Sequence, residues 1–426
     1  MSTTTAPSSK QEKPTLAGVT VKTRKRNIVV PVDPGSFADA VVQIVQDASD
    51  GQSVAEDLEA AGKALDAAEI EYSRYGDTLF EVLFAGGRLA NGAALAEGGA
   101  RLPFNILGSP AERDAIAPYI KLFQNLTRRR PFLVRGIENT MVKLLLSLEF
   151  FNAENRKKIA LALALIFSMK IAVLPDNIFG AMLNDRLVAK GTVQEVFTIF
   201  CQTFLAKDSM DDLVSILTKA KVANQLLDYM PPQKRSLQDF NEHFKSAGLE
   251  ALVEWNMKRD QEIKISELQE ALSNMITAEE PASPAEVLSM VKSKKTENNL
   301  PESEVLRVVW TSLMKAVNMG GKNQQQIMQA IVAKIKTYHK LLSTFATNGK
   351  LELGLLLVVQ VQCYEDNRLL KLFSDIVRVL YDADIVGEDA IFHWYKKGSH
   401  PKGRNVFTKD IEPFIKWLEE AEEEAD

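Results

Sequence analysis

The spacing of apolar residues predicts α-helices along nearly the whole chain. Phe37, Val41 and Val45 recur every four residues, a period that places side chains on one face of a helix. Ser36, directly before them, is a candidate N-cap. No run of alternating apolar and polar residues, the pattern of a half-buried strand, competes with this helical spacing. The sequence therefore predicts an all-α fold.

The predicted helices fall into two sets, separated by a sharp turn that contains two prolines between Met230 and Ser236. The first set follows the helix at Ser36 and covers residues 55–67, 69–84, 110–126, 132–150, 153–169, 176–188, 192–205, 209–219 and 224–229. The second set covers residues 237–247, 249–259, 263–276, 284–294, 302–317, 323–342, 351–364, 369–381, 388–397 and 408–423. Such helices cannot bury an apolar stripe alone, so neighbours must stack as antiparallel pairs, as in HEAT-type arrays of about 40 to 47 residues per pair.

Two features complicate this pattern. Residues 86–110 are rich in glycine and are predicted to form a long loop. A repeat of large apolar side chains at every seventh position is formed by Leu58, Leu65, Tyr72 and Leu79. Gly62 and Gly76 lie inside this repeat, and each glycine costs a helix interior about 0.5 to 1 kcal/mol. The sequence therefore favours packing within one domain over a coiled-coil zipper.

Composition places the chain among globular proteins. It has 426 residues, 46% of them apolar and 25% charged. A single core rarely extends beyond about 250 to 300 residues, so two domains or one extended array are expected. The longest apolar stretch, within residues 159–169, is well short of the roughly 20 residues that cross a bilayer, and the first residues lack the apolar part of a secretory signal. We therefore expect a cytoplasmic protein without a membrane span.

The charge of the chain is unevenly distributed. The formal net charge is −5, but residues 1–26 carry six basic residues and one acidic residue. The final 45 residues carry 12 acidic and 6 basic residues, so the acidity of the protein is concentrated at its C-terminal end. Because a surface of one sign attracts its opposite, we expect this end to bind a basic partner.

Few residues are available for metal or redox chemistry. Cys201 and Cys363 are the only cysteines and cannot supply the four thiolates of a zinc ribbon, and the four histidines show no ligand spacing. Both thiols are expected to be buried. No nucleophile elbow, kinase signature or dinucleotide fingerprint occurs. We therefore predict that the protein is not an enzyme and that it holds no metal or cofactor.

Two C-terminal segments combine acidic and aromatic residues. In residues 385–397, Glu388 and Asp389 precede three aromatic side chains, and in residues 410–426 Phe414 and Trp417 precede a run of glutamates. One interpretation is that the rings seal the last helix pair into the core while the acids keep the surface soluble. The alternative is a binding surface, because like charges at spacings of three and four oppose helix formation and need another reason to be kept.

A second charged feature lies in the first half of the chain. Seven basic side chains lie near the ends of consecutive predicted helices: Arg128, Arg129, Arg130, Arg135, Arg156, Lys157 and Lys158. We call this set the basic ridge. It either complements helix C-termini at a solvated rim or contacts phosphates or an acidic protein. No aromatic residues alternate with these bases as stacking platforms would, so an acidic protein is at least as good a candidate partner as RNA.

Several short stretches carry a resemblance that runs nearly end to end. They are residues 22–26 (KTRKR), 72–75 (YSRY), 78–80 (TLF) with 86–87 (GG), 309–312 (VWTS), and 394–396 (WYK) continuing through 402–403 (KG). In these stretches the sequence resembles the initiation factor five mimic proteins, also called basic leucine zipper and W-two domain proteins. Its acidic-aromatic segments resemble the two boxes that close the W-two domain, a HEAT-type module of initiation factor five.

The resemblance implies an all-α fold of two HEAT-like helical-repeat domains. Residues 1–35 would be a basic tail, and residues 36–247 a HEAT domain like the middle domain of initiation factor four G. Residues 248–420 would be the W-two domain and residues 421–426 an acidic tail. Since two cysteines cannot build the zinc ribbon of initiation factor five, GTPase activation is not expected.

The resemblance also implies a non-enzymatic regulator of translation initiation. The family binds lysine-rich segments of the beta subunit of initiation factor two, and also initiation factor three, in competition with initiation factor five; contact with the ribosomal preinitiation complex is a further expectation. The implied partner-binding residues are Asp384, Glu388, Asp389, Trp394, Tyr395, Glu412, Trp417, Glu419, Glu420, Glu422, Glu423 and Glu424. The alternative is an RNA-bound helical scaffold that uses the basic ridge.

Overall fold

The computed structural model of the chain describes residues 15–16, 19–20, 33–51 and 53–425. The predicted basic tail therefore lies almost entirely outside the described residues, and so do the side chains of residues 421–426. Two short strands, β1 (Thr15–Leu16) and β2 (Val19–Thr20), pair in antiparallel register. All other long elements in the described part of the chain are helices, which confirms the predicted all-α class.

The described chain divides into two compact units between Arg235 and Ser236. The helices of the first unit are α1 (Pro34–Asp47), α2 (Val54–Ala67), α3 (Tyr72–Ala85), α4 (Arg113–Arg129), α5 (Val134–Leu146), α6 (Ala153–Ser168), α7 (Pro175–Met182), α8 (Asp185–Ala189), α9 (Thr192–Leu205) and α10 (Met210–Lys219). The helices of the second unit are α11 (Leu237–Ser246), α12 (Glu250–Thr277), α13 (Pro284–Asn298), α14 (Glu302–Lys315), α15 (Gln324–Phe345), α16 (Gly349–Glu365), α17 (Phe373–Asp382), α18 (Glu388–His393) and α19 (Arg404–Ala425). The predicted boundary at 247/248 would assign α11 to the first domain, whereas in the structure α11 packs against α12 of the second unit.

Two helices differ from their predicted extents for local reasons. Helix α12 is continuous over 28 residues, where two helices were predicted. No glycine or proline interrupts it, and the Lys264–Asp260 ion pair (2.7 Å) bridges the predicted break. The predicted helix over 388–397 is instead α18 followed by a π-helical turn, Trp394–Gly398.

Aromatic side chains fill the core of the first unit. Phe123 of α4 contacts Phe80 and Phe84 of α3, with ring centroids 5.0 and 5.3 Å away. Helix α6 is buried on nearly every side from Ile159 to Phe167, because it packs against both α4 and α9. Its long apolar run is therefore a core helix, as its length predicted. None of the helices in the described part of the chain has the length and apolarity needed to cross a lipid bilayer.

The seven-residue apolar repeat does not form a zipper. Leu58 and Leu65 lie on α2, whereas Tyr72 and Leu79 lie on α3, and all four are buried in the first unit. A Cβ atom on Gly136 of α5 would lie 2.7 Å from the backbone of α3, so α3 and α5 cross too closely for a larger residue there. The prediction of packing within one domain is confirmed.

The glycine-rich segment 86–110 is a loop that is fastened to the helices beside it. Gly86 ends α3 in the left-handed conformation, with a φ of +82°. Lys143 of α5 donates to the carbonyl oxygen of Leu89 at 2.5 Å and pairs with Glu81 at 2.6 Å. Lys158 donates to the carbonyl oxygen of Leu107 at 2.8 Å. The loop therefore has fixed contacts at both of its ends.

The second unit is a two-layer array. Helices α12, α14, α16 and α18 pack in succession to form one layer, and α13, α15, α17 and α19 form the other. A continuous apolar core between Leu268 and Leu418 lies between the layers. Cys363 is buried in this core, and Cys201 is buried in the first unit. This array places the C-terminal acidic-aromatic segments on adjacent helices.

Candidate partner-binding surface

The surface is built around Trp417 near the end of the chain. Phe414, which is buried, and Trp417 lie on one stripe of α19, and their rings stack with centroids 5.8 Å apart and an interplanar angle of 13°. Trp417 itself is 51% exposed, so only one side of its indole is covered. A large aromatic ring left half in solvent is unusual for a residue whose only role is packing. Trp417 is therefore the aromatic centre of the candidate surface.

Tyr381 joins the two acidic-aromatic segments. Its ring, at the end of α17, meets Phe414 and Trp417 edge-on, with centroids 5.8 and 6.4 Å away. Its hydroxyl donates to the Glu388 carboxylate at 2.5 Å. This hydrogen bond, with burial and the nearby charges of Glu388, Asp382 and Asp384, raises the pKa of Tyr381 to about 12. One neutral phenol thus lies among three carboxylates and against the exposed tryptophan.

Most carboxylates of the surface have no basic partner. Asp384, Asp389, Glu419 and Glu420 are exposed and make no ion pair with a lysine or arginine among the described residues, and the same is true of Asp382. Glu412 is the exception, since it pairs with Lys416 at 3.0 Å. Glu422, Glu423 and Glu424 continue α19, but their side chains lie outside those that the structure describes.

The other bases near this surface are engaged by rings. The Arg378 guanidinium lies 5.1 Å from the centroid of Phe414, and the Lys396 ammonium lies 5.3 Å from the centroid of Phe392. Such cations hold their position through the face of the ring rather than through a carboxylate. The anionic face is therefore left open to a cation from another molecule.

Trp394 lies apart from this exposed group. Its side chain is fully buried, stacks near Phe373, and donates from Nε1 to the Gln360 side chain at 2.9 Å. A residue with no exposed surface cannot contact a partner directly, so the predicted direct contact by Trp394 is corrected to a supporting role. Tyr395, the next residue, is half-buried at the edge of the core. The π-helical turn thus points one ring inward and leaves the other partly accessible.

Sequence reasoning missed Tyr381 and Gln360. Tyr381 precedes the acidic stretch 382–384 directly, so an aromatic residue beside clustered acids was the available signal. Gln360 gave no signal, because its role depends on contacts with residues 34 or more positions away.

The basic ridge is largely neutralised within its own unit. Asp66 pairs with both Arg129 (3.1 Å) and Arg130 (2.7 Å), and Arg130 also lies over the ring of Tyr72. Arg156 pairs with Glu195 at 2.7 Å.

Lys158 is buried and pairs with Glu154 at 2.8 Å. Arg128, Arg135 and Lys157 are exposed and have no ion pair among the described residues. Most of the ridge therefore serves to hold neighbouring helices, and three separate cations remain.

Family comparisons agree with this architecture. Residues 21–266 match the family model described as the 5MP1/2 HEAT domain, and residues 351–426 match the W2 model, described as eIF4-gamma/eIF5/eIF2-epsilon. The chain is 31% identical over 418 residues to eIF5-mimic protein 2 of Homo sapiens and of Gallus gallus, which covers 98% of this chain and 97% and 98% of those relatives. It is 32% identical over 422 residues to eIF5-mimic protein 1 of Mus musculus, with 98% of each chain covered.

The fold and its C-terminal surface define a helical-repeat protein in which a HEAT domain is followed by a W2 domain. Neither matched description names an enzyme family. The chain belongs to the eIF5-mimic protein family, as its similarity over 98% of its length to several members shows. The resemblance inferred from the short sequence stretches is thereby confirmed.

Proposed function

We propose that this protein regulates translation initiation by binding a lysine-rich segment of the beta subunit of initiation factor two on its acidic-aromatic surface. Membership of the eIF5-mimic family supports the broader part, a role in translation initiation related to eIF5. The finer part is that the protein competes with initiation factor five for this segment, binds initiation factor three as a second partner, and so affects how strictly start codons are selected.

The observation that carries the proposal is an exposed tryptophan bordered by unpaired carboxylates. Trp417 offers the face of its indole, and Glu419, Glu420 and Asp384 are exposed without an ion pair among the described residues. A lysine side chain fits such a site in two ways. Its methylene stem can lie on the ring, and its ammonium group can reach a carboxylate.

Several weak contacts would add up along a lysine-rich segment. A single exposed ion pair contributes about 0 to 1 kcal/mol, so specificity requires many pairs together with an aromatic anchor. Complementary charge also accelerates encounter and makes binding sensitive to salt. These properties suit a partner that exchanges with a competitor.

The test is charge reversal of the α19 glutamates. Glu419→Lys, Glu420→Lys, Glu422→Lys and Glu423→Lys together should reduce binding of a lysine-rich peptide from the beta subunit by about 100-fold or more, because attraction becomes repulsion at four positions. Binding is measured by fluorescence anisotropy on the full chain, and helical circular dichroism should be unchanged.

A matched control reverses four acids on another face. Glu254, Glu267, Glu270 and Glu279 are exposed and have no ion pair among the described residues, so their change to lysine alters the net charge equally. This control should bind nearly as tightly as wild type. Trp417→Ala, which keeps every charge, should weaken binding by about tenfold as an aromatic anchor is lost. Equal loss in both charge variants, or unchanged binding in the α19 variant, would remove the site from the proposal.

A further inference from the structure

One stretch of the second unit lacks acidic residues altogether. Residues 305–351 contain seven lysines and arginines and no aspartate or glutamate. At the average frequency of this chain, 56 acids in 426 residues, about six would be expected in a stretch of this length. The bases are Arg307, Lys315, Lys322, Lys334, Lys336, Lys340 and Lys350. This bias is separate from the acidic C-terminal surface.

The structure places five of these lysines on or beside α15. One face of this helix, including Ile327, Ile331 and Ile335, is buried in the core. Lys336 and Lys340 are exposed one helical turn apart on the side away from that core. Lys334, Lys336 and Lys340, with Lys322 before the helix and Lys350 after it, form what we call the α15 face. None of these lysines has an ion pair among the described residues, although the Lys334 ammonium lies 5.8 Å from the Tyr338 ring.

The surroundings of these lysines are polar and uncharged. Gln325, Gln329 and Thr337 are exposed on the same helix and can donate hydrogen bonds. No carboxylate on α15 opposes a negatively charged ligand. The helix is 22 residues long, which corresponds to about 33 Å, so several ligand charges can be met along it.

The neighbouring helices limit the direction in which this face extends. Helix α13, on one side, carries Lys292 and Lys294 against Glu297, after Lys295 is paired with Glu302 at 2.5 Å. Helix α17, on the other side, carries Asp375, Asp382 and Arg378 and leads to the acidic-aromatic surface. The positive field therefore continues from α15 towards α13 and ends at α17.

The α15 face lacks the anchors of a protein interface. None of the large hydrophobic side chains that are exposed in the described chain lies between residues 305 and 351. Protein interfaces depend on buried aromatic or apolar anchors, whereas nonspecific nucleic-acid binding depends on phosphate contacts from lysines and polar side chains. We infer that the α15 face binds the phosphate backbone of RNA, without sequence preference, at a site distinct from the acidic-aromatic surface.

The experiment compares two triple variants of the full chain. Lys334→Gln, Lys336→Gln and Lys340→Gln remove three charges and keep good helix formers. The control, Lys207→Gln, Lys219→Gln and Lys234→Gln, removes three exposed lysines that have no ion pair in the described part of the first unit. Binding to a fluorescein-labelled single-stranded RNA of mixed sequence is measured between about 50 and 200 mM salt.

The α15 variant should bind RNA about tenfold more weakly at the lowest salt, and its plot of log affinity against log salt should be shallower by about two, since each single-strand phosphate contact contributes about 0.7. The control should retain both values. Binding of the lysine-rich peptide should be unchanged in the α15 variant, so failure here is distinguishable from failure of the proposed function. Equal RNA affinity and slope in the two variants would overturn the inference. So would a polyglutamate peptide that binds this face more tightly than RNA does, since that result indicates an acidic protein partner.

Discussion

A single carboxylate, Asp410, shows how residue-level electrostatics act in the second unit. Its side chain, on α19, accepts a hydrogen bond from the backbone N–H of Ser374 at the start of α17, at 3.3 Å. Partial burial raises the pKa of Asp410, as does the neighbouring charge of Asp375, while the hydrogen bond from Ser374 lowers it. The balance is a raised pKa, so the folded state disfavours the charge that Asp410 carries at neutral pH.

Asp410→Asn should therefore stabilise the protein at pH 7. The asparagine oxygen can still accept from Ser374, and the unfavourable charge is removed. Because the folded-state pKa lies above the unfolded value of 3.8, the penalty is absent well below pH 3.8 and grows as the pH rises through the folded pKa. Urea unfolding should show a higher midpoint for the variant at pH 7 and no difference near pH 3. A lower midpoint at pH 7 would show that the charged hydrogen bond dominates.

At the scale of elements, one buried glutamine organises the end of the second unit. Gln360 of α16 accepts hydrogen bonds at Oε1 from Trp394 Nε1 and from the backbone N–H of His400, both at 2.9 Å. Its Nε2 donates to the carbonyl oxygens of His400 and Lys402, both at 2.8 Å. Four hydrogen bonds thus tie α16 to the π-helical turn and to the segment that leads into α19.

Gln360→Leu should destabilise the second unit by about 3 kcal/mol, because it leaves several buried polar groups without a partner at about 1 to 3 kcal/mol each. Near-UV circular dichroism should also change as Trp394 loses its fixed environment. Gln325→Leu, at an exposed position of α15, is the control and should change stability by less than about 0.5 kcal/mol. A small effect of Gln360→Leu would mean that water or another group replaces these bonds.

Helix starts could be predicted from sequence better than burial could. Ser209 and Ser283 begin α10 and α13 through capping boxes with Asp212 and Glu286, and such signals depend only on residues three positions apart. Whether a tryptophan is exposed depends instead on distant neighbours. Trp394 and Trp417 have similar acidic-aromatic surroundings in the sequence, yet one is fully buried and the other half-exposed.

The same limit applies to charge. The glutamates of the candidate surface could be found in the sequence because they are contiguous, and most of the described ones lack a basic partner. The basic ridge is also nearly contiguous, but Asp66 and Glu195, far away in sequence, neutralise three of its members. Composition therefore located both features, and only tertiary contacts distinguish an open charged surface from a set of structural ion pairs.

At the scale of the whole molecule, the two compact units should be separable. The second unit has its own apolar core between Leu268 and Leu418, and the candidate surface lies entirely on its helices. A chain of this size commonly folds as independent domains. The division of labour would then place lysine-rich peptide binding on the second unit alone.

Residues 236–426 expressed alone should unfold cooperatively in urea and bind the lysine-rich peptide within about threefold of the full chain, whereas residues 1–235 should not bind it. A fragment that begins at residue 248, the boundary predicted from sequence, lacks α11 and loses its packing against α12. This shorter fragment should be less stable than 236–426. Equal stability of the two fragments would favour the boundary at 248.

The two thiols are distributed so that each unit contains one. Cys201 lies in the first and Cys363 in the second, and burial raises the pKa of both, that of Cys363 to about 12. A buried, protonated thiol reacts with alkylating reagents only while its surroundings are open. The unmodified protein thus contains one chemical reporter per unit, and mass spectrometry of trapped peptides can follow the transient openings of the two halves separately, without any engineered label.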